Sequence, residues 1–371
     1  MRLTALFLTA LIFAAACERK SSEATAPASV VDIADAPVSD ELPGLPAAAT
    51  GIAFWDHPTL SFNSTMIVAT SSGVLAYSME DGNEVSRIDG FNADGVATGY
   101  LGFGTTAIGF IAFLDAEKNV FRFYGVDNNS RAFLPLDPGP AIRGEVRGFC
   151  LGRAADAPSP SLYVIQRGKI QVFNLAAAPG GVAVESEAVI ETRDDLASCA
   201  VGLDGVLLAA TDAGEIYRVA GADALASPFA RAPVNNSGEL AVVAASNEND
   251  PAIVTAHILY ASLADGAIYL FGADDGAIAG AAKISATDTL LGVDHGEVFS
   301  ATGGNLGGLY RNGVVAFGVA DGADGPVIRI APVSSLKNAT ELPVGEPASP
   351  RGDAPAQEDD FISIPTNFES E

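Results

Sequence analysis

Positive charge is scarce in this 371-residue chain: 20 Lys and Arg stand against 46 Asp and Glu, a formal net charge of −26. Gripping a polyphosphate backbone takes Lys and Arg, so nucleic acid is excluded as a partner. Histidine is equally thin. His57, His257 and His295 lie far apart and no cysteine stands at ligand spacing from them, which removes a zinc cluster. No Gly-x-Ser-x-Gly elbow and no Gly-x-x-x-x-Gly-Lys loop occurs, so serine-hydrolase and nucleotide-binding chemistry are set aside. Beyond the N-terminus no run reaches the roughly 18 apolar residues of a membrane helix. Amphipathic helical periodicity is also missing, which argues against a Rossmann-type fold. What is plentiful is glycine, at 39 residues, in a chain 49% hydrophobic and only 18% charged. Many tight turns and enough apolar surface for a large core point to short strands and an all-β class.

The first residues read as an address. Arg2 precedes the apolar run Leu6–Phe13 and the small residues Ala14-Ala15-Ala16 before Cys17, the order of a secretory signal. Small residues ending at a cysteine also resemble the bacterial lipoprotein processing box, in which Cys17 becomes the lipidated first residue; ordinary cleavage after Ala16 is the alternative. The expected location is the cell envelope, as a periplasmic or surface lipoprotein touching the membrane through a lipid on Cys17, or outside the cell. Composition then divides the chain into a signal (1–17), an Ala/Pro/Ser-rich linker expected to be disordered (18–48), a folded body (49–340) and an acidic tail expected to be disordered (341–371). Arg351-Gly352-Asp353 in that tail is adhesion-like by composition only.

Within the body one phrase recurs: an apolar strand, a turn with Gly or Asn, and a second apolar strand that usually holds an aromatic residue. It appears at Met66–Tyr77, Gly109–Tyr124, Leu162–Phe173, Val206–Val219, Ile258–Phe271 and Val314–Ile330. Five steps of about fifty residues carry Gly73 to Gly325, a period that with flanking apolar runs gives about four strands per unit. The expected architecture is a six-bladed β-propeller. Cys150 and Cys199 lie one repeat apart, near the start of consecutive units; a disulfide between neighbouring inner strands and two separate buried thiols are both open. Asp274-Asp275-Gly276 and Asp321-Gly-Ala-Asp324-Gly read as turns, with small calcium loops as the rarer alternative.

Along the body the sequence resembles the β-propeller phytases. Phe54-Trp55-Asp56-His57-Pro58 is similar to that family's Trp-x-His-Pro element, Glu145-Val-Arg-Gly-Phe149 after Pro138-Gly-Pro140 to its Glu-Val-Tyr-Gly-Phe, and Val327-Ile-Arg-Ile-Ala-Pro332 to its closing segment. The resemblance implies an extracytoplasmic, calcium-dependent phosphatase acting on phytate or another phosphomonoester. It nominates Glu145 as the catalytic carboxylate and Glu145, Glu239 and Asp294 as calcium ligands; Arg143 and Arg147, which flank Glu145, and Arg167, beside Gln166, are weak substitutes for its phosphate contacts, with plain surface charge the alternative. The family's paired acids fall on Thr50 and Gly51 and a further acid on Ala197; its phosphate-gripping residues fall near Ala116 and Gln166, with Lys118 close by. His57 reads as a packed residue beside Trp55.

Two functions follow. One is the calcium-dependent phosphatase, with calcium bridging carboxylates to substrate phosphate. The other is a non-catalytic propeller of the same type that binds a small ligand or a protein at its mouth. Either is expected as a monomer.

Overall fold

A computed structural model describes residues 31–42, 44–102, 107–136, 138–153, 159–179, 181–193, 195–202, 204–219, 227–246, 254–322 and 325–340. Cys17, the acidic tail and Asp324 lie outside them. Six antiparallel sheets follow one another along the chain. The first holds β3 (Ala49–Trp55), β4 (Thr65–Thr70), β5 (Gly73–Ser78) and β6 (Glu84–Asp89). The second holds β7 (Ala93–Leu101), β8 (Ile108–Asp115), β9 (Val120–Val126) and β10 (Phe133–Pro135). Next come β11 (Gly148–Gly152) to β14 (Gly181–Glu191), with β12 (Ser161–Gln166) and β13 (Lys169–Ala178) between them. The fourth runs from β15 (Leu196–Val201) through β16 (Leu207–Thr211) and β17 (Glu215–Val219) to β18 (Ala230–Arg231). The fifth comprises β19 (Gly238–Ser246), β20 (Val254–Ser262), β21 (Ala267–Gly272) and β22 (Ile278–Ser285). The sixth is built from β23 (Val298–Thr302), β24 (Val314–Gly322) and β25 (Gly325–Pro332). The first strand of each sheet packs against the first strand of the next, and β23 returns to β3, closing a ring. The chain is a six-bladed β-propeller.

Alternation with period two explains why the strands read as almost continuous apolar runs. In β8, Ile111 and Phe113 pack toward blade 1, while Phe110, Ala112 and Leu114 pack toward blade 3. Strand β24 divides in the same way: Val315 and Phe317 face blade 5, Val314 and Ala316 face blade 1. Each blade therefore buries both faces, and the six hydrophobic clusters are the six blade-to-blade interfaces.

The disordered linker expected over 18–48 is corrected over 31–48 by two N-terminal strands, and its residues 18–30 lie outside the described ones. Ile33–Pro37 (β1) adds to blade 5 parallel to β22, and Asp40–Leu42 (β2) pairs antiparallel with β25 as the missing fourth strand of blade 6. Composition misled here because two short strands of Ala, Pro and Asp show no periodicity of their own; their partners supply the register. Leu42 packs with Leu45 and Ile328 in the interface between blades 6 and 1. Arg329, only 1% exposed, donates through Nε to Glu41 Oε2 at 3.0 Å and through Nη1 to the Gly292 carbonyl at 2.7 Å. A buried guanidinium in the last blade is thus matched by a carboxylate from the start of the fold.

A second closure is covalent. Cys150 in β11 and Cys199 in β15 form a disulfide with Cα atoms 5.8 Å apart, joining the inner strands of blades 3 and 4. A loop of 49 residues is closed by it.

Removing the Glu41 carboxylate leaves a buried charge uncompensated, so Glu41→Ala is expected to lower unfolding free energy by about 3–5 kcal/mol in a denaturant titration. Deleting the linker up to residue 48 is expected to do worse and yield aggregating protein, because it also frees the edge of β25. For the disulfide, loop entropy sets a loss of about 4 kcal/mol for Cys150→Ala/Cys199→Ala, read as a lower denaturant midpoint.

Candidate functional site

Inner strands present one unpaired edge to the propeller axis, and these six edges enclose a central cavity of about 470 Å³. Turns between second and third strands and the connections to the next blade lie on one face, here called upper; turns between first and second and between third and fourth strands lie on the lower face. Small residues line much of the cavity, including Gly51, Gly95, Gly148 and Ala197. Bulky side chains are excluded by close approach: a Cβ at Gly148 would meet the Ala197 carbonyl oxygen at 2.2 Å.

Side chains from neighbouring blades satisfy part of this exposed backbone. Thr50 Oγ1 donates to the Ala93 carbonyl at 2.7 Å and Thr98 Oγ1 to the Phe54 carbonyl at 2.9 Å, tying blades 1 and 2. Glu239 Oε2 accepts from the Phe299 amide at 2.7 Å, tying blades 5 and 6. Register slips around Thr50, Gly95 and Ala197 place β-bulges in three inner strands at the upper mouth. Bulges of this kind re-aim side chains and break pairing beside ligand sites.

Two carboxylates line the cavity, Glu239 and Asp94. Burial pushes the Glu239 carboxyl up to about 7, against the opposing hydrogen bond from Phe299. Asp94 is also raised, again by burial. Among the described residues no cation pairs with either. Asp94 was absent from the sequence reading, although it is the second residue of β7 as Glu239 is of β19. Aligning the inner strands at the fifty-residue period is the signal that finds it.

The three expected calcium ligands are not gathered. Glu145 is exposed on the connection entering blade 3, Glu239 is occupied by the Phe299 amide inside the cavity, and Asp294 is exposed and bonded to Lys283 Nζ at 2.9 Å beside the outer strand of blade 5. Among the described residues no three His, Cys, Asp or Glu side chains stand as a group able to hold a metal ion. Thr50, Gly51 and Ala197, where the resemblance would put further acids, do line the cavity and carry no carboxylate. These residues do not fit the calcium cluster that the resemblance implies.

The arginines are closer together. Gln166 Nε2 donates to the Arg143 carbonyl at 2.8 Å and the Glu145 carbonyl at 3.4 Å, and the Arg147 amide donates to Ile165. Arg143, Glu145 and Arg147 are thereby held beside Arg167, on the turn between β12 and β13. Arg147 makes an ion pair with Asp212 of blade 4, whereas Arg143 and Arg167 are exposed. Lys118 stands over Asp115 at 3.7 Å, within its own blade.

His57 serves packing and positioning. Its ring meets Trp55 edge-on at 5.4 Å, Nδ1 accepts from the Thr59 and Leu60 amides, and Nε2 donates to the Asn128 carbonyl at 2.8 Å.

No protein-family model matches this chain, and no curated protein matches it. Among solved structures it is similar to AofleA from Arthrobotrys oligospora, 14% identical with a TM-score of 0.50 over 83% of this chain and 90% of that one. What the two share is the propeller. The PQQ-bound aldose sugar dehydrogenase of Streptomyces coelicolor is 13% identical, with a TM-score of 0.46 over 79% of this chain and 97% of that one. Kluyveromyces lactis Hsv2 is 15% identical, with a TM-score of 0.36 over 63% of this chain and 62% of that one, so the chain spans less than two thirds of that Hsv2 chain. At such identities a likeness carries the fold and no chemistry.

Glu239 yields a pH prediction. In the unfolded chain it titrates near 4.5, in the folded protein near 7. Between these values the folded state holds a proton that the unfolded state has released, so this residue's contribution is most favourable below about pH 4.5 and is lost as pH rises through 7. Glu239→Gln keeps an acceptor for the Phe299 amide and removes the charge. It is expected to raise stability at pH 8 by on the order of 1–3 kcal/mol and to change little at pH 4.5, measured by paired denaturant titrations.

Proposed function

We propose that this chain is a non-catalytic binding propeller of the cell envelope, held to the membrane through Cys17, whose ligand enters the upper mouth of the central cavity. One observation carries the reading: the bulged inner-strand positions Thr50, Gly51 and Ala197 open onto the cavity without carboxylates. A metal-dependent phosphatase would need acids there to assemble its ions. The acid left unengaged at the mouth, Asp94, and the net charge of −26 favour a neutral or cationic small ligand over a polyphosphate, while Glu239, bonded to the Phe299 amide and titrating near 7, adds only part of a charge.

The phosphatase reading keeps one supporting observation, the grouping of Arg143, Glu145, Arg147 and Arg167 around Gln166. Exposed guanidiniums beside a carboxylate suit a phosphomonoester. Arg147 is already engaged by Asp212, which leaves Arg143 and Arg167 for this task.

Phosphate release from phytate, measured for the full chain with calcium and with chelator, discriminates the two. Release at the level of a protein-free blank is expected under both conditions. Calcium-dependent release that is abolished by Glu145→Gln would overturn the binding reading. Glu145→Gln itself is expected to shift stability by less than about 0.5 kcal/mol, as for an exposed surface residue.

A further inference from the structure

Large exposed apolar side chains are distributed unevenly over the two faces. Leu60 (43% exposed) and Phe62 (45%) project from the turn between β3 and β4, and Leu309 (61%) from the corresponding turn of blade 6. Ile108 (57%) follows the same turn in blade 2 and Ile278 (36%) follows the outer turn of blade 5. All five lie on or beside the lower face, with Ile33 and Leu134 near the lower ends of outer strands; toward the upper face stand Leu291 and Val189, near the end of β14. Monomeric soluble proteins rarely group such residues without a use.

Three of them form one patch. The Gly307 position abuts the Phe62 backbone, with a Cβ there 2.7 Å from Phe62 Cα, so the Leu309 turn sits directly against the Leu60–Phe62 turn. His57 fixes this conformation by accepting from the Leu60 amide at 3.0 Å. The patch is therefore presented by a pinned turn.

The N-terminal strand tells what covers the patch. Strand β1 runs parallel to β22, which starts at a lower-face turn, so the chain enters the propeller from the lower side at Val31. Thirteen residues separate Cys17 from Val31. In any conformation they reach at most about 45 Å, which ties the lower-side entry point at Val31 to any surface that carries Cys17.

We propose that the lower face docks on the phospholipid surface, with Leu60, Phe62 and Leu309 inserted among the headgroups and the upper mouth turned toward solvent. This rests on the reading of Cys17 as a lipid anchor. The tether makes contact intramolecular, so a small apolar patch suffices for docking that it could not sustain alone. On the described lower-face turns Asp81, Asp127, Asp204, Asp274 and Asp275 outnumber Arg131, Arg153 and Arg311, the last beside Leu309 itself, so zwitterionic headgroups are favoured over anionic ones.

The test is amide hydrogen exchange of the full lipidated chain on phosphatidylethanolamine/phosphatidylcholine vesicles against the same chain in detergent-free solution after release from its anchor. Exchange at 59–63 and 307–311 is expected to slow at least threefold on vesicles, with 143–149 and 237–239 unchanged. Leu60→Ser/Phe62→Ser/Leu309→Ser is expected to abolish that protection while the chain remains anchored. Anchored protein without protection at these turns, or with protection at 143–149 instead, overturns the proposal. Mass spectrometry of the N-terminus reports separately on the anchor. If Cys17 carries no lipid, flotation of the unlipidated chain with the same vesicles decides: flotation lost in the triple variant supports the patch, and absence of flotation overturns it. Protection produced by envelope proteins without lipid identifies a protein partner and overturns it as well.

Discussion

Everything in this molecule depends on closing the ring. Six blades bury both faces only if the sixth packs against the first, and the sixth blade lacks a fourth strand until β2 arrives from the N-terminus. Three residues of strand make few hydrogen bonds, so the junction is reinforced by other means. Glu41 meets the buried Arg329 guanidinium and Leu42 fills the interface between blades 6 and 1. A buried pair of this kind gives modest net stability against an apolar alternative, but a large penalty for any arrangement that separates its members. Its value is in specifying where the ring closes. The disulfide between blades 3 and 4 does the same on the opposite side of the ring, and the Thr50, Thr98 and Glu239 contacts repeat the idea at the axis.

The same constraint defines the candidate site. A closed ring leaves six inner-strand edges facing one another, and strand edges hold unpaired amides and carbonyls that water or side chains must satisfy. Where a neighbour's side chain does so, as with Glu239 and the Phe299 amide, the group is tied to structure and is less available to a ligand. This is why an acid in the right blade is not automatically a metal ligand. Glu239 stitches blade 5 to blade 6, and burial raises its carboxyl enough to titrate near neutrality.

Most of the propeller was legible in the sequence because its signal is periodic. The second and third strands of every blade are apolar on both faces, so Met66–Tyr77 and its five counterparts stand out at a common spacing. The fourth strands are weaker. Glu84–Asp89 and Gly181–Glu191 are half exposed and carry charge, and β1 and β2 have no pattern at all. Site residues were legible only as types along the chain. Nothing in the spacing of Glu145, Glu239 and Asp294 says that the first is exposed, the second reaches into the next blade, and the third turns outward to Lys283. Those outcomes depend on strand register, in which a slip of one residue exchanges the two faces.

Charge bookkeeping across blades narrows the ligand further. Arginine is the residue that would let an acidic propeller hold a phosphate, yet most of its arginines near the upper rim are committed to carboxylates: Arg147 to Asp212, Arg193 to Asp195 and Glu215, Arg231 to Glu215. Such exposed pairs add little stability, about 0–1 kcal/mol each, but they cancel positive field where a polyanion would approach. Asp94 and Glu239 receive no such cancellation inside the cavity. A ligand that enters the mouth passes the exposed Arg143 and Arg167 at the blade 3 rim and reaches a cavity lined by Asp94, Glu239 and an Arg147 already paired with Asp212, a balance that with the net charge of −26 favours a neutral or cationic molecule over phytate. The described lower-face turns carry more acids than bases, with Arg131, Arg153 and Arg311 the exceptions and an apolar arc across blades 6, 1 and 2. The docking proposed for this face would rest on apolar contact and the Cys17 tether rather than on charge, and would leave the upper mouth facing solution.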